Sequence, residues 1–148
     1  MSYSLNENLK IYSFMKKLFL VLILASFGLS YSQTIQSKNH ATTGFIKPDG
    51  TIQNQNHATV GFIKNDGTIQ DKNHSTIGYI KSDGTIQDKN HSTVGYIKNN
   101  GTVQDKNHAT LGFIKNDGTV QDKNHSTIGY AKGVDMYWSA VTFFFFDL

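Results

Sequence analysis

The chain has 148 residues and a formal charge of +3, from 14 basic and 11 acidic residues, with neither cysteine nor arginine among them. Lacking cysteine, it has no disulfide, thiolate nucleophile, thiolate metal site or lipidated cysteine; lacking arginine, it has no bidentate reader of phosphates and guanines. Lys10, Lys16, Lys17 and Glu7 all fall in the first 32 residues, so the rest is nearly neutral and offers no basic face for nucleic acid.

In chain order, Met15-Lys16-Lys17 is a short basic start, followed by a mostly apolar run at 18–28 and the small residues Ser30 and Ser32 around Tyr31. This pattern predicts a signal peptide at 15–32, cleaved before Gln33. As a helix, the apolar run would reach only about 16 Å, half of a bilayer's hydrocarbon core, so a membrane anchor is the poorer reading. Residues 1–14 are polar, which is foreign to such a leader. They read as an upstream extension, with either Met1 or Met15 as the start. The expected address is the periplasm, the cell surface or the medium.

From residue 34 the chain repeats every 17 positions, as 34–50, 51–67, 68–84, 85–101, 102–118 and 119–135, marked by His40, His57, His74, His91, His108 and His125. A fixed short period signals a stacked or radial architecture. Each unit reads as two short strands, such as Val60-Gly61-Phe62-Ile63 and Thr68-Ile69-Gln70, bounded by turn residues. In the turn Lys47-Pro48-Asp49-Gly50, proline suits the second position of a type I turn, with glycine left-handed after it; a three-residue loop is therefore expected. Asp71-Lys72-Asn73-His74 has the same form with His in the glycine's place. The histidines then sit where φ is positive, a place Asn, Asp and His tolerate. The sharper alternative, a metal ladder, needs several imidazoles converging on one ion.

An odd period has a topological cost. With two identical three-residue loops, a flat meander would pair Ile63 with Ile69 and Ile69 with Ile77, and successive units would bury opposite faces. Either one loop is even, or the sheet breaks into hairpin petals around an axis. Gly44, Gly61, Gly78, Gly95, Gly112 and Gly129 lie within strands, where glycine is weak unless a backbone or a side-chain ring approaches closely.

The run Asp-Gly-Thr-Ile-Gln-Asp-Lys-Asn-x-Ser-Thr-Ile-Gly-Tyr-Ile-Lys at 66–81, with the Lys132-Gly133-Val134-Asp135 break and aromatic close at 131–146, resembles the secreted bacterial five-fold β-flower proteins. The resemblance spans roughly residues 33–148. It implies an all-β repeat fold and export in Bacteroidetes-type bacteria, and it implies no catalytic or binding residues. The chain departs from the family pattern in carrying His where glycine is usual in the Asn-x-Ser turn. The fold expected is thus an all-β radial or closed array of short hairpins with about five-fold pseudo-symmetry, one domain over 33–148, closed by the aromatic tail at 136–148. Each repeat brings few large apolar side chains, so the tail's aromatics are expected to supply core. Attachment to a membrane or partner and a targeting tail are the alternatives.

No nucleophile elbow, phosphate loop, zinc-protease motif or calcium loop occurs, and glutamate is absent after Glu7. Six equivalent copies of every residue suit a scaffold better than one asymmetric catalytic centre. The expectation is a non-enzymatic structural or surface-interaction protein without cofactor or metal. The alternative is a multivalent glycan or small-ligand module, with Phe45, Phe62, Tyr79, Tyr96, Phe113 and Tyr130 as candidate contacts and a cell-surface glycan or protein as partner. Whether those six side chains point inward or form an outer row separates the two. Processing gives the first test: the exported protein should begin at Gln33, and an intact mass that still includes residues 15–32 would reject the leader.

Overall fold

The computed structural model describes residues 33–148; the expected extension at 1–14 and the expected signal peptide at 15–32 lie outside the described residues. Every unit contributes two strands, as its β-branched and aromatic residues favour. They are β1 (Gln33–Ser37), β2 (Thr42–Ile46), β3 (Thr51–Asn54), β4 (Thr59–Ile63), β5 (Thr68–Asp71), β6 (Thr76–Ile80), β7 (Thr85–Asp88), β8 (Thr93–Ile97), β9 (Thr102–Asp105), β10 (Thr110–Ile114), β11 (Thr119–Asp122) and β12 (Thr127–Ala131). Each pairs antiparallel with its chain neighbours, and β12 pairs with β1 through Ile35 opposite Ala131, closing a twelve-stranded barrel.

Both turn types have the three-residue form. Gly50 N donates to Lys47 O at 2.9 Å, Lys47 N donates to Thr51 O at 2.9 Å, and Gly50 has φ 83° with Pro48 in second place. In the other turn, His74 N donates to Asp71 O at 3.0 Å, Asp71 N donates to Ser75 O at 3.0 Å, and His74 has φ 62°. All six histidines lie between φ 60° and 64°.

The parity problem is solved in neither of the two expected ways: no loop is even and the sheet does not break into petals. Ile63 does face Ile69. Across the histidine turn, however, Ile69 faces Gly78 and Gln70 faces Thr76, so Ile77 is an extra residue in a bulge. The same register shift recurs at all six histidine hairpins. One inserted residue per unit restores the inward-outward alternation. It also bends the strand and raises its twist, as a closed sheet needs.

A layer of aliphatic side chains lines the inside, including Ile46, Ile63, Ile69, Ile86, Ile97, Val103 and Val120, all at most 2 % exposed. Twelve strands enclose more space than their own side chains fill, since about eight already give an interior just wide enough to pack. The tail fills the difference, and it does so as a helix. After the sixth repeat, α1 (Met136–Ala140) is capped by Asp135, whose side chain accepts from Tyr137 N and Trp138 N, and it runs on into a π-helical turn (Val141–Phe145). Ser139, Ala140 and Val141 are fully buried. No helix among the described residues is long and apolar enough to cross a membrane.

The π turn distributes the aromatics. Successive α-helical residues point about 100° apart, too coarse a step for six hairpins around a circle. The wider π turn, with Phe146 N donating to Val141 O at 3.1 Å, reduces that step. Phe143, Phe144, Phe145 and Phe146 thereby lie over Gly129, Gly112, Gly95 and Gly78 in turn, and Leu148 lies over Gly61. A methyl group at Gly112 would stand 2.6 Å from Phe144 Cζ. The glycines therefore leave room for the tail's aromatics. Truncating Phe145 to Ala should cost toward the lower end of ~3–5 kcal/mol, because the side chain is half-buried rather than fully enclosed. Denaturant unfolding measures this, and an unchanged midpoint would show that the tail is not core.

Candidate functional site

Phe45 lies between the buried, inward-facing Gly44 and Ile46, so strand alternation turns it outward. The same holds for Phe62, Tyr96, Phe113 and Tyr130, and Tyr79 keeps the same alternation beside buried Gly78 and half-buried Ile80. The six side chains form an outer row around the barrel. Each is half-buried because a histidine covers one face: Phe45 stacks on His57 at 4.5 Å between centroids, Phe62 on His74 at 4.4 Å, Tyr79 on His91 at 4.5 Å. Tyr96 stacks on His108 at 4.5 Å and Phe113 on His125 at 4.4 Å. The sixth pair, Tyr130 with His40 at 4.3 Å, spans the seam where β12 meets β1, so the belt is continuous.

In five of the six pairs aromatic and histidine are twelve residues apart in sequence, and the spacing follows from the pairing. Phe45 faces Gln53 on the neighbouring strand, and His57 follows at the end of that strand. The left-handed backbone at the histidine folds its imidazole back over the aromatic side chain. Gln53 Nε2 donates to His57 O at 2.8 Å, and Gln70, Gln104 and Gln121 repeat this bond at 3.0, 2.9 and 3.0 Å. Behind the stacks, the Oε1 atoms of Gln70, Gln104 and Gln121 are buried without a hydrogen-bond partner among the described residues. The belt thus presents apolar faces at fixed orientation and repeated spacing, with these three amide oxygens shielded beneath it.

The carboxylates hold turns. Asp71 Oδ1 accepts from Asn73 N at 2.8 Å and Ser75 N at 2.9 Å. Asp49, Asp66, Asp83 and Asp117 are held below the usual carboxylate range chiefly by the amide of the threonine two residues on. Asn100 makes the same bond to Thr102 N at 3.1 Å, so an amide performs the same task and no ionisation is needed. Among the described residues, no three histidine or acidic side chains gather where they could hold a metal ion. The imidazoles lie against aromatics around the outside rather than converging on an axis.

Two concavities adjoin these features. One of about 330 Å³ lies beside a stack, lined by Tyr96, His108 and Gln104 with Asp83, Lys98 and Asn99 from the turns. The other, about 430 Å³, lies at the Asp-Gly end between two turns and α1, lined by Tyr137 and Trp138 with Lys64, Asp66 and Lys81. The second escaped the sequence reading, because it depends on where the tail helix docks. The stacks escaped it too, because each joins an aromatic to the histidine of the adjoining unit, and in a strict repeat every pair of positions keeps a constant offset.

A family model described as 5-fold beta-flower protein matches residues 32–147. No curated protein and no solved structure matches the chain.

The histidines therefore have two duties, and the substitutions separate them. His74→Asn keeps a residue that tolerates positive φ but loses the stack on Phe62, costing ~0.5–1.5 kcal/mol rather than nothing. His74→Val should cost more, about 1–3 kcal/mol beyond the lost stack, because a β-branched residue is strained at φ 62°. Equal stability of the two variants would sink the backbone half of the argument.

Proposed function

The chain belongs to the 5-fold β-flower family, and from that premise we propose that it is an exported, non-enzymatic repeat barrel that works by surface contact, its outer belt engaging a repetitive partner such as a cell-surface glycan. The observation that carries this reading is the outward placement of all six aromatics, each clamped by a histidine in the same pose. Sugars pack their C–H faces on aromatic surfaces and give hydroxyls to amides and carboxylates. The concavity at Tyr96, with Asp83 and Asn99 at its margin, offers both kinds of partner. The leader-like segment at 15–32 supports export.

A non-enzymatic role is supported by the duties of the polar groups. Asp71, Asp88, Asp105 and Asp122 spend their carboxylates on turn amides. Identical copies spaced around a barrel also favour avidity, in which individually weak contacts add through effective concentration.

Binding should therefore be graded. In titrations of the intact protein against surface polysaccharide purified from the producing bacterium, Tyr79→Ala, Tyr96→Ala and Tyr130→Ala should weaken binding stepwise as they are combined, while β-type circular dichroism persists. Abolition by any single change, or an unaffected triple variant, would overturn the multivalent belt.

A further inference from the structure

The barrel has six glycine positions on its inner wall, and the tail covers five of them. Among the described residues, Gly129, Gly112, Gly95 and Gly78 each meet a phenylalanine and Gly61 meets Leu148, whereas a methyl group at Gly44 would meet only backbone atoms of Gln53 and Asn54. A cavity of about 200 Å³ lies there, lined by Gly44, Phe45, Ile52, Thr142, Phe143 and Leu148, with Gln53 and Asn54 at its border. It is the sixth slot of a set whose other members each hold a six-membered aryl ring or a leucine.

The slot is open because of two departures from the repeat. Stepping back along the tail, Phe146, Phe145, Phe144 and Phe143 serve successive hairpins, so the next residue, Thr142, has the register of the Gly44 hairpin, and it lines the cavity. A threonine stands where its neighbours are phenylalanine. Beside Gly44, the bulge residue is Thr43, where the other units have Val60, Ile77, Val94, Leu111 and Ile128 packed against the core. Both hydroxyl protons are already used: Thr142 Oγ1 donates to Trp138 O at 2.8 Å, and Thr43 Oγ1 donates to Ile35 O at 3.2 Å. Their remaining capacity is as acceptors. Thr43 is exposed, which gives the cavity a solvent-facing edge.

We propose that this sixth slot is a binding site for a monocyclic aromatic ligand of the phenol class. The ring would take the place that phenylalanine takes in the neighbouring slots, with its hydroxyl donating toward the threonine oxygens. The dimensions agree, since apolar protein cavities of roughly 150 Å³ accommodate benzene. The site lies at the Gly44 hairpin, where tail residues Thr142, Phe143 and Leu148 face it from within and Phe45 of the outer belt borders it.

The test is titration of the full chain with 4-fluorophenol, followed by fluorine NMR. Saturable binding at one site per chain is expected. Thr142→Phe should place a side chain in the slot, weaken binding at least tenfold and raise the melting temperature. Should that variant fail to fold, Thr142→Leu serves the same purpose, with the same expected loss. Phe144→Ala should vacate the Gly112 slot and bring the stoichiometry to two. Absence of saturable binding by the unaltered protein would overturn the proposal. So would undiminished binding by the folded Thr142 variant.

Discussion

The contact between the tail's side chains and the inner glycines governs the rest of the structure. A closed sheet of twelve strands is too wide for its own side chains, and its strands are only four or five residues long. Its aliphatic layer packs around Ser139, Ala140 and Val141, but at the glycine level the wall supplies no side chain at all. Strand glycines normally weaken a sheet. Here five of the six mark the site of an inserted aromatic or leucine, so barrel and plug are each incomplete without the other.

Two local devices make the closed sheet reachable from a 17-residue unit. Residues with positive φ, glycine at one end and histidine at the other, permit the tight turns. A bulge at each histidine hairpin absorbs the odd count and curves the strand. The histidine serves both the turn and the outer surface, since the backbone that needs a left-handed residue also swings the imidazole onto the neighbouring aromatic. Glycine would satisfy the turn and leave that face bare.

Departures from perfect repetition are where a symmetric barrel acquires individual character. Five Asp-Gly or Asn-Gly turns join the strands, and the place of a sixth is taken by β12 pairing with β1, beside which the tail enters. Thr43 and Thr142 interrupt two apolar series at the same slot. The outer belt keeps all six copies and even crosses the seam. Outside, the molecule is a repeated surface; inside, one position differs from the rest.

The sequence by itself determined what depends on a few adjacent residues. The all-β class, the strand positions, the three-residue turns and the left-handed histidines follow from Pro48, the Asp-Gly pairs and β-branched runs, because steric limits on φ act locally. It also indicated that the mid-strand glycines needed a close neighbour. Only the tertiary structure decided which neighbour, and in what form. The tail's Val, Thr, Phe, Tyr and Trp are residues that favour strands, yet the segment is helical, because inside a filled barrel only a helix satisfies its own backbone bonds while sending side chains in every direction. The bulge, the closure of β12 on β1 and the pairing of each aromatic with the histidine of the adjoining unit are likewise decided by contacts between strands, which no single run of residues contains.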